Sequence, residues 1–246
     1  MATAKNFASH GAKVLIVDMD EAAANTTQQA ITKAGGEASI FVADVASEAG
    51  CKALVDAAVE RYGKLDILMN SVGIGGRGMV TEVTEENWNR VLDVDLKSAV
   101  FISKYAVPEM IKNGGGSIIN VSSVDGMRAA MTKNIPYNAA KGGLITVTKA
   151  MAVHHGRDNI RVNCIAPGML FTSMTEAMDD RRRQIRRDLA PLGIEGKAED
   201  IAMAASFLAS DEARWITGVL LPVDAGLMAA GPQSLINNIL DDYEYV

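Results

Sequence analysis

Short runs rich in β-branched and other apolar residues alternate along this chain with longer stretches whose apolar positions recur at helical spacing. The runs at 13–18, 38–43, 66–70, 117–121, 160–165 and 219–223 predict strands. Helices are predicted over 21–33, 49–62, 85–112, 137–155 and 199–209, and a short one ahead of the first strand is ended by Gly11. Gly35, Gly63 and Gly156 stand where helices should stop, and Thr84 and Asn134 where helices should start. Strand alternating with helix implies an α/β fold on a doubly wound parallel sheet. No repeat, linker or low-complexity stretch divides the 246 residues, so a single domain over 1–246 is expected.

Composition agrees with that picture and narrows the partners. With 48% hydrophobic and 22% charged residues the chain can bury a sizeable core. A net charge of -6 argues against nucleic acid and anionic membranes, which both call for an excess of Lys and Arg. Cys51 and Cys164 lie far apart with no pairing framework and are read as small core residues of a protein in a reducing compartment. There is no charged segment followed by an apolar run at the N-terminus and no stretch long enough to span a bilayer, so a cytoplasmic location is expected. His154 and His155 are neighbours near a helix end, a poor metal pair better suited to stabilising the helix C-terminus; no metal site is expected.

Open parallel sheets bind ligands at the carboxyl ends of their strands. Those positions hold Asp18, Asp44, Asn70, Ser122 with Ser123, and Pro167 with Gly168. Turns favour polar residues at any one strand end, but five such ends in succession point to a ligand crest. In the stretch IPYNAAKGG, Tyr137 and Lys141 are four residues apart on a predicted helix and share a face. A nearby ammonium stabilises a phenolate and lowers the phenol's pKa, which lets a tyrosine trade protons with an alcohol or carbonyl oxygen. The same pair is common on ordinary helix surfaces. It gains weight because Ser123 follows a strand just upstream and could hydrogen-bond the same oxygen.

The segments VLIVDMD, FVADV, LDILMNSVG, GSIINVSSVDG, YNAAK, RVNCIAPGMLFTSM and FLASDEARWITGVLLPVDAG, in this order between residue 1 and about residue 227, resemble the short-chain dehydrogenases/reductases. The resemblance implies a Rossmann-like fold and an oxidoreductase that passes a hydride between NAD and a secondary alcohol or ketone. It implies Tyr137 as acid/base, Ser123 as the residue orienting the substrate oxygen, and Lys141 as both Tyr activator and ribose ligand. Asp18 would take the adenosine ribose, Asp44 and Val45 the adenine, and Asn70 and Gly73 the middle of the cofactor. Pro167 and Gly168 would line the nicotinamide end, and Thr172 with the backbone at Leu170 would hold the carboxamide. A substrate lid is expected over about 172–198 and a C-terminal tail over about 228–246. By resemblance the protein would form a tetramer or dimer through the helix carrying Tyr137, whose Ala139, Ala140, Gly142 and Gly143 permit close contact.

Three departures from the family pattern carry expectations of their own. The turn Asn70-Ser71-Val72-Gly73 keeps the family residues at both ends only, a minor change. Asp95 stands where the family usually has an Asn in a proton relay. Trp88, Leu92, Asp95 and Ala99 recur at helical spacing, which places the carboxylate on a buried face in need of a partner. Lys141 reached through a water, preserving the relay, and a backbone cap without a chemical role are both open. Finally, MATAKNFASHG resembles the stretch just after the family's glycine-rich turn. The expectation is a chain without the first strand and that turn, with two interior strand edges unpaired, that folds poorly or binds cofactor weakly.

The cofactor expectation is NAD in preference to NADP, because Asp18 would face the extra phosphate and the neighbouring Met19 is neutral. Two alternatives stay open: a truncated pseudoenzyme acting as a binding or assembly partner, and an NADPH-dependent 3-oxoacyl reductase. Arg181, Arg182, Arg183, Arg186 and Arg187 form either a solvated helix face or a site for a substrate carboxylate or phosphate. Met127, Met131, Met169, Met174 and Met178 cluster around the expected substrate region, as core filling or as an adaptable wall.

Overall fold

The computed structural model describes residues 1–129, 132–172 and 175–231. Met131, Met174 and most of the expected C-terminal tail therefore lie outside the described residues. The chain opens with α1 (Ala2–Ser9), β1 (Val14–Asp18), α2 (Glu21–Lys33), β2 (Ala38–Val42), α3 (Glu48–Tyr62) and β3 (Ile67–Asn70). α4 (Glu85–Leu92) runs through a π-helical turn, Asp93–Lys97, into α5 (Ser98–Lys112), followed by β4 (Gly116–Val121). α6 (Ile135–His155), β5 (Ile160–Pro167), β6 (Leu170–Phe171), α7 (Asp180–Asp188), β7 (Gly196–Lys197), α8 (Ala198–Ala209) and β8 (Leu220–Val223) complete the order. Each predicted strand and helix is present within two residues of its expected ends. β6 and β7, two residues each, are too short to leave a periodic signal.

Local chemistry sets most of the helix ends. Thr84 caps α4 by accepting from the Asn87 N–H at 3.2 Å, and Gly63 ends α3 in the left-handed region at φ 77°. Gly156 behaves otherwise: at φ -61° it continues α6 into a short 3-10 turn, and Asn159 at φ 58° makes the left-handed stop. Asn134 precedes α6 without capping it: its Nδ2 donates to Asp125, and its Oδ1 accepts no hydrogen bond among the described residues.

β3, β4, β5 and β8 form one parallel sheet in that order, and β1 with β2 a second. Successive side chains of β4 enter opposite layers, as strand alternation requires. Ile118 packs with Val107 and Met110 of α5 and Ala152 of α6, while Ile119 packs with Ile201, Ala205 and Leu208 of α8. Helices thus cover both faces, the doubly wound arrangement expected. Phe7 of α1 joins the α8 layer, and Asn6 meets Ser206 across it.

Among the described residues no strand joins β1 to β3, so each keeps one edge without a ladder partner. The consequence shows in burial: Ile118 and Ile119 are fully enclosed, whereas Val14–Val17 and Ile67–Met69 are only partly so. Both cysteines are free and buried. Among the described residues no helix is long and apolar enough to cross a membrane, and no cluster of side chains could hold a metal ion.

Candidate active site

The site forms where β4 ends. Ser123 heads a 3-10 turn, Val124–Gly126, and its Oγ accepts from the Asp125 N–H at 3.1 Å. That turn is pressed onto α6: a Cβ on Gly126 would lie 2.7 Å from the Lys141 carbonyl carbon, so only glycine allows the approach. Asp125 clamps the junction, accepting from Asn134 Nδ2 at 3.0 Å through Oδ2 and from Asn138 Nδ2 at 2.6 Å through its carbonyl. Ser122 donates to the Lys141 carbonyl at 2.8 Å. Gly126, Asp125, Asn134, Asn138 and Ser122 fix Ser123 against the first turns of α6. Of them, only Ser122 and Asn134 drew notice in the sequence, one as a strand end and the other as a helix start.

Tyr137 and Lys141 share a face, with the ammonium 5.6 Å from the ring centroid. The phenol pKa is raised, chiefly by burial, while a Ser123 hydrogen bond works in the opposite direction and Asp95 and Asp125 add to the rise. That net rise means burial outweighs the lowering expected from Lys141, whose ammonium is held by other partners. Lys141 Nζ lies 3.4 Å from Asp95 Oδ2 and donates to the Val121 carbonyl at 3.1 Å and the Val72 carbonyl at 3.4 Å. Burial lowers the Lys141 pKa and raises that of Asp95, with each partner's charge opposing the other's shift.

Asp95 sits inside the π-helical turn and is buried as the spacing predicted, but its contact with Lys141 is direct. Its Oδ1 also accepts from the Ile74 N–H at 2.8 Å, so the carboxylate braces the 71–74 loop as well. Trp88 departs from the expected buried face and is 38% exposed. The π turn changes the angular phase of the helix, so positions before it do not line up with those after it.

Asn70 donates to Asn120 Oδ1 at 2.8 Å, and its own Oδ1 is buried with no partner among the described residues. Gly73 lies over the ion pair: a Cβ there would meet Lys141 Nζ at 3.1 Å and Asp95 Oδ2 at 3.2 Å. Asp18 and Asp44 are exposed at the ends of β1 and β2, each accepting from a backbone N–H two residues on, and Arg90 stands 3.7 Å from Asp44. Val45 beside Asp44 is buried in the core under α3. An unpartnered amide oxygen, a lysine beneath bare backbone and an open row of strand ends fit a polar ligand laid along the sheet crest.

Pro167 ends β5, and Gly168 passes so close to Asp224 that a Cβ would come within 2.7 Å. The Leu170 backbone is fully engaged, its N–H with Gly168 and its carbonyl with Arg186 Nη2 at 2.9 Å. The Thr172 N–H donates to Thr175 Oγ1 at 2.9 Å. The arginine run proves to be internal structure in part. Arg183 binds Glu195 at 2.7 Å and stacks on Phe171 at 3.9 Å, Arg187 reaches the same carboxylate at 3.9 Å, and Arg181 and Arg182 remain exposed. Gly142 and Gly143, read as a surface for a second subunit, are also used within the chain, against the Gly126 carbonyl and Leu96.

A family model described as enoyl-(acyl carrier protein) reductase matches residues 1–228. The chain belongs to the short-chain dehydrogenase/reductase family. The match begins at residue 1 and lends no support to the expectation that an N-terminal strand and glycine-rich turn are lacking. The chain is 40% identical to an uncharacterized oxidoreductase of Bacillus subtilis, over 93% of this chain and 86% of the relative. It is 38% identical to a 3-oxoacyl-[acyl-carrier-protein] reductase of Chlamydia muridarum, over 91% and 90%. A gluconate 5-dehydrogenase from Burkholderia cenocepacia, solved with NADP and tartrate, superposes with a TM-score of 0.87 at 31% identity, covering 94% of this chain and 91% of that one. Membership in this short-chain dehydrogenase/reductase family makes the protein an oxidoreductase of a family that uses NAD(P). The ranking of NADP below NAD is corrected, since this solved relative carries NADP.

Proposed function

We propose that the protein interconverts a secondary alcohol and a ketone, with a nicotinamide dinucleotide taking or giving the hydride at the carbonyl carbon. The reading rests on the convergence of Ser123, Tyr137 and Lys141 at the end of β4, where the Asp125 clamp and the Gly126 contact hold them. Tyr137 moves the proton at its phenol oxygen, Ser123 orients the substrate oxygen, and Lys141 supplies positive charge beneath the ring. Asp18 receives the adenosine ribose, Asp44 and Val45 border the adenine, and Asn70 with Gly73 holds the middle of the dinucleotide. Pro167, Gly168, Leu170 and Thr172 border the nicotinamide. The backbone groups of both Leu170 and Thr172 are already bonded, so the Thr172 hydroxyl is the better partner for the carboxamide.

A second reading, reduction of a carrier-bound 3-oxoacyl group with NADPH, is favoured by the Chlamydia muridarum relative. Fluorescence titration with NADH and with NADPH, followed by turnover assays on secondary alcohols, ketones and a 3-oxoacyl thioester, tests both readings. Saturable binding with turnover of an alcohol or ketone supports the first, and turnover confined to the thioester supports the second. Failure to bind either dinucleotide overturns both.

A further inference from the structure

Lys141 and Asp95 form a buried ion pair directly below Gly73, their side chains 4% and 0% exposed. Asp95 Oδ2 accepts no hydrogen bond among the described residues, so its partner there is the ammonium itself at 3.4 Å. A buried ammonium beside a phenol would by itself favour the phenolate, and a carboxylate at ion-pair distance cancels most of that field. We propose that Asp95 is a positioning residue that, as the counter-charge of Lys141, keeps the Tyr137 proton held to higher pH than the lysine alone would allow.

Among the described residues, the carboxylates that face Tyr137 agree with this sign. On the helix of Tyr137 itself stands Lys141, 5.6 Å from the ring centroid. From the π-helical turn comes Asp95, and from the 3-10 turn after β4 come Asp125, which disfavours the phenolate, and Ser123, which favours it. Cys164 of β5 faces Lys141, and burial pushes its thiol up to about 11, so it brings no charge at neutral pH. Lys141 is therefore the cation in this set, and Asp95 stands nearest to it. An amide at position 95 would leave the pair with a net charge of +1, a carboxylate leaves it neutral. The Val121 and Val72 carbonyls accept from the ammonium independently of Asp95, so the charge keeps polar partners when the carboxylate is removed.

For catalysis the inference rests on the reading of Tyr137 as the proton carrier, but its test needs no substrate. Alkaline titration of phenolate absorbance in the full chain, with the Tyr137→Phe curve subtracted, isolates this tyrosine from the other four. Circular dichroism recorded alongside marks where unfolding begins. In Asp95→Asn the Tyr137 phenolate is expected about one pH unit lower than in wild type, tenfold in proton affinity. Its emergence before unfolding in the variant alone counts the same way. In Lys141→Met it is expected to move upward, opposite shifts that a general loosening of the site would not produce.

A Tyr137 curve unmoved or raised in Asp95→Asn overturns the inference, as does a downward shift in Lys141→Met. Should Asp95→Asn fail to fold, Asp95→Ser removes the same charge with a smaller side chain and carries the same expected direction. A shift found in a protein that turns over no alcohol or ketone would sink the proposed function and leave this inference standing. An active protein without the shift would do the reverse.

Discussion

The Asn70 amide donates to Asn120 Oδ1 at 2.8 Å, and Asn120 Nδ2 donates in turn to Thr148 Oγ1 at 2.9 Å, tying β3 through β4 to the middle of α6. All three side chains are buried. Removing the central member strands donors and acceptors that water does not reach. Asn120→Ala is expected to lower stability by about 2 kcal/mol, read as a shift of the urea midpoint at constant slope. A change under about 0.5 kcal/mol, the scale of an ordinary surface substitution, would mean that the chain of amides adds nothing to the fold.

Loss of the Tyr137 hydroxyl should act on chemistry and leave binding intact. Tyr137→Phe is expected to cut kcat by roughly 10²-fold or more, the usual scale for general acid/base help, with dinucleotide affinity nearly unchanged. Equal turnover in the variant would remove Tyr137 from the reaction.

Asp18 is exposed, and among the described residues only one of its oxygens is occupied, by the Asp20 N–H at 3.0 Å. A carboxylate at this strand end suits two ribose hydroxyls and opposes a phosphate on one of them. Asp18→Ala is expected to raise kcat/KM for NADP relative to NAD by about tenfold, a discount on the unscreened repulsion because the site is open to water. The comparison is made with both cofactors in wild type and variant, and an unmoved ratio would take cofactor choice away from this residue.

The two sheets should differ in how firmly they hold their amide hydrogens. β4 and β5 pair on both sides and lie in the core, while among the described residues β1 pairs only with β2. Hydrogen exchange is expected to be about 10²-fold faster in β1 than in β4, because local opening there breaks fewer bonds. Equal protection would show that the free edge of β1 is covered in solution.

Strand and helix positions were legible from the chain alone, because alternation, caps and glycine stops are local properties that a few neighbouring residues enforce. The pairing of Tyr137 with Lys141 was legible for the same reason: a spacing of four places two side chains on one helix face. What tertiary structure decided is the company these residues keep. Spacing marked Asp95 as buried but not the π turn that moved Trp88 off that face, since the turn interrupts the period on which the expectation depended. The Asp125 clamp joins residues from a turn and a helix start that only the folded junction brings together. Arg183 and Glu195, a surface charge run and a loop acid along the chain, become an internal ion pair once β6 and β7 pair. Proton affinities at the site changed most. A sequence places an ammonium near a phenol, but desolvation and the direct approach of a distant carboxylate set the sign of the result, and both are properties of packing.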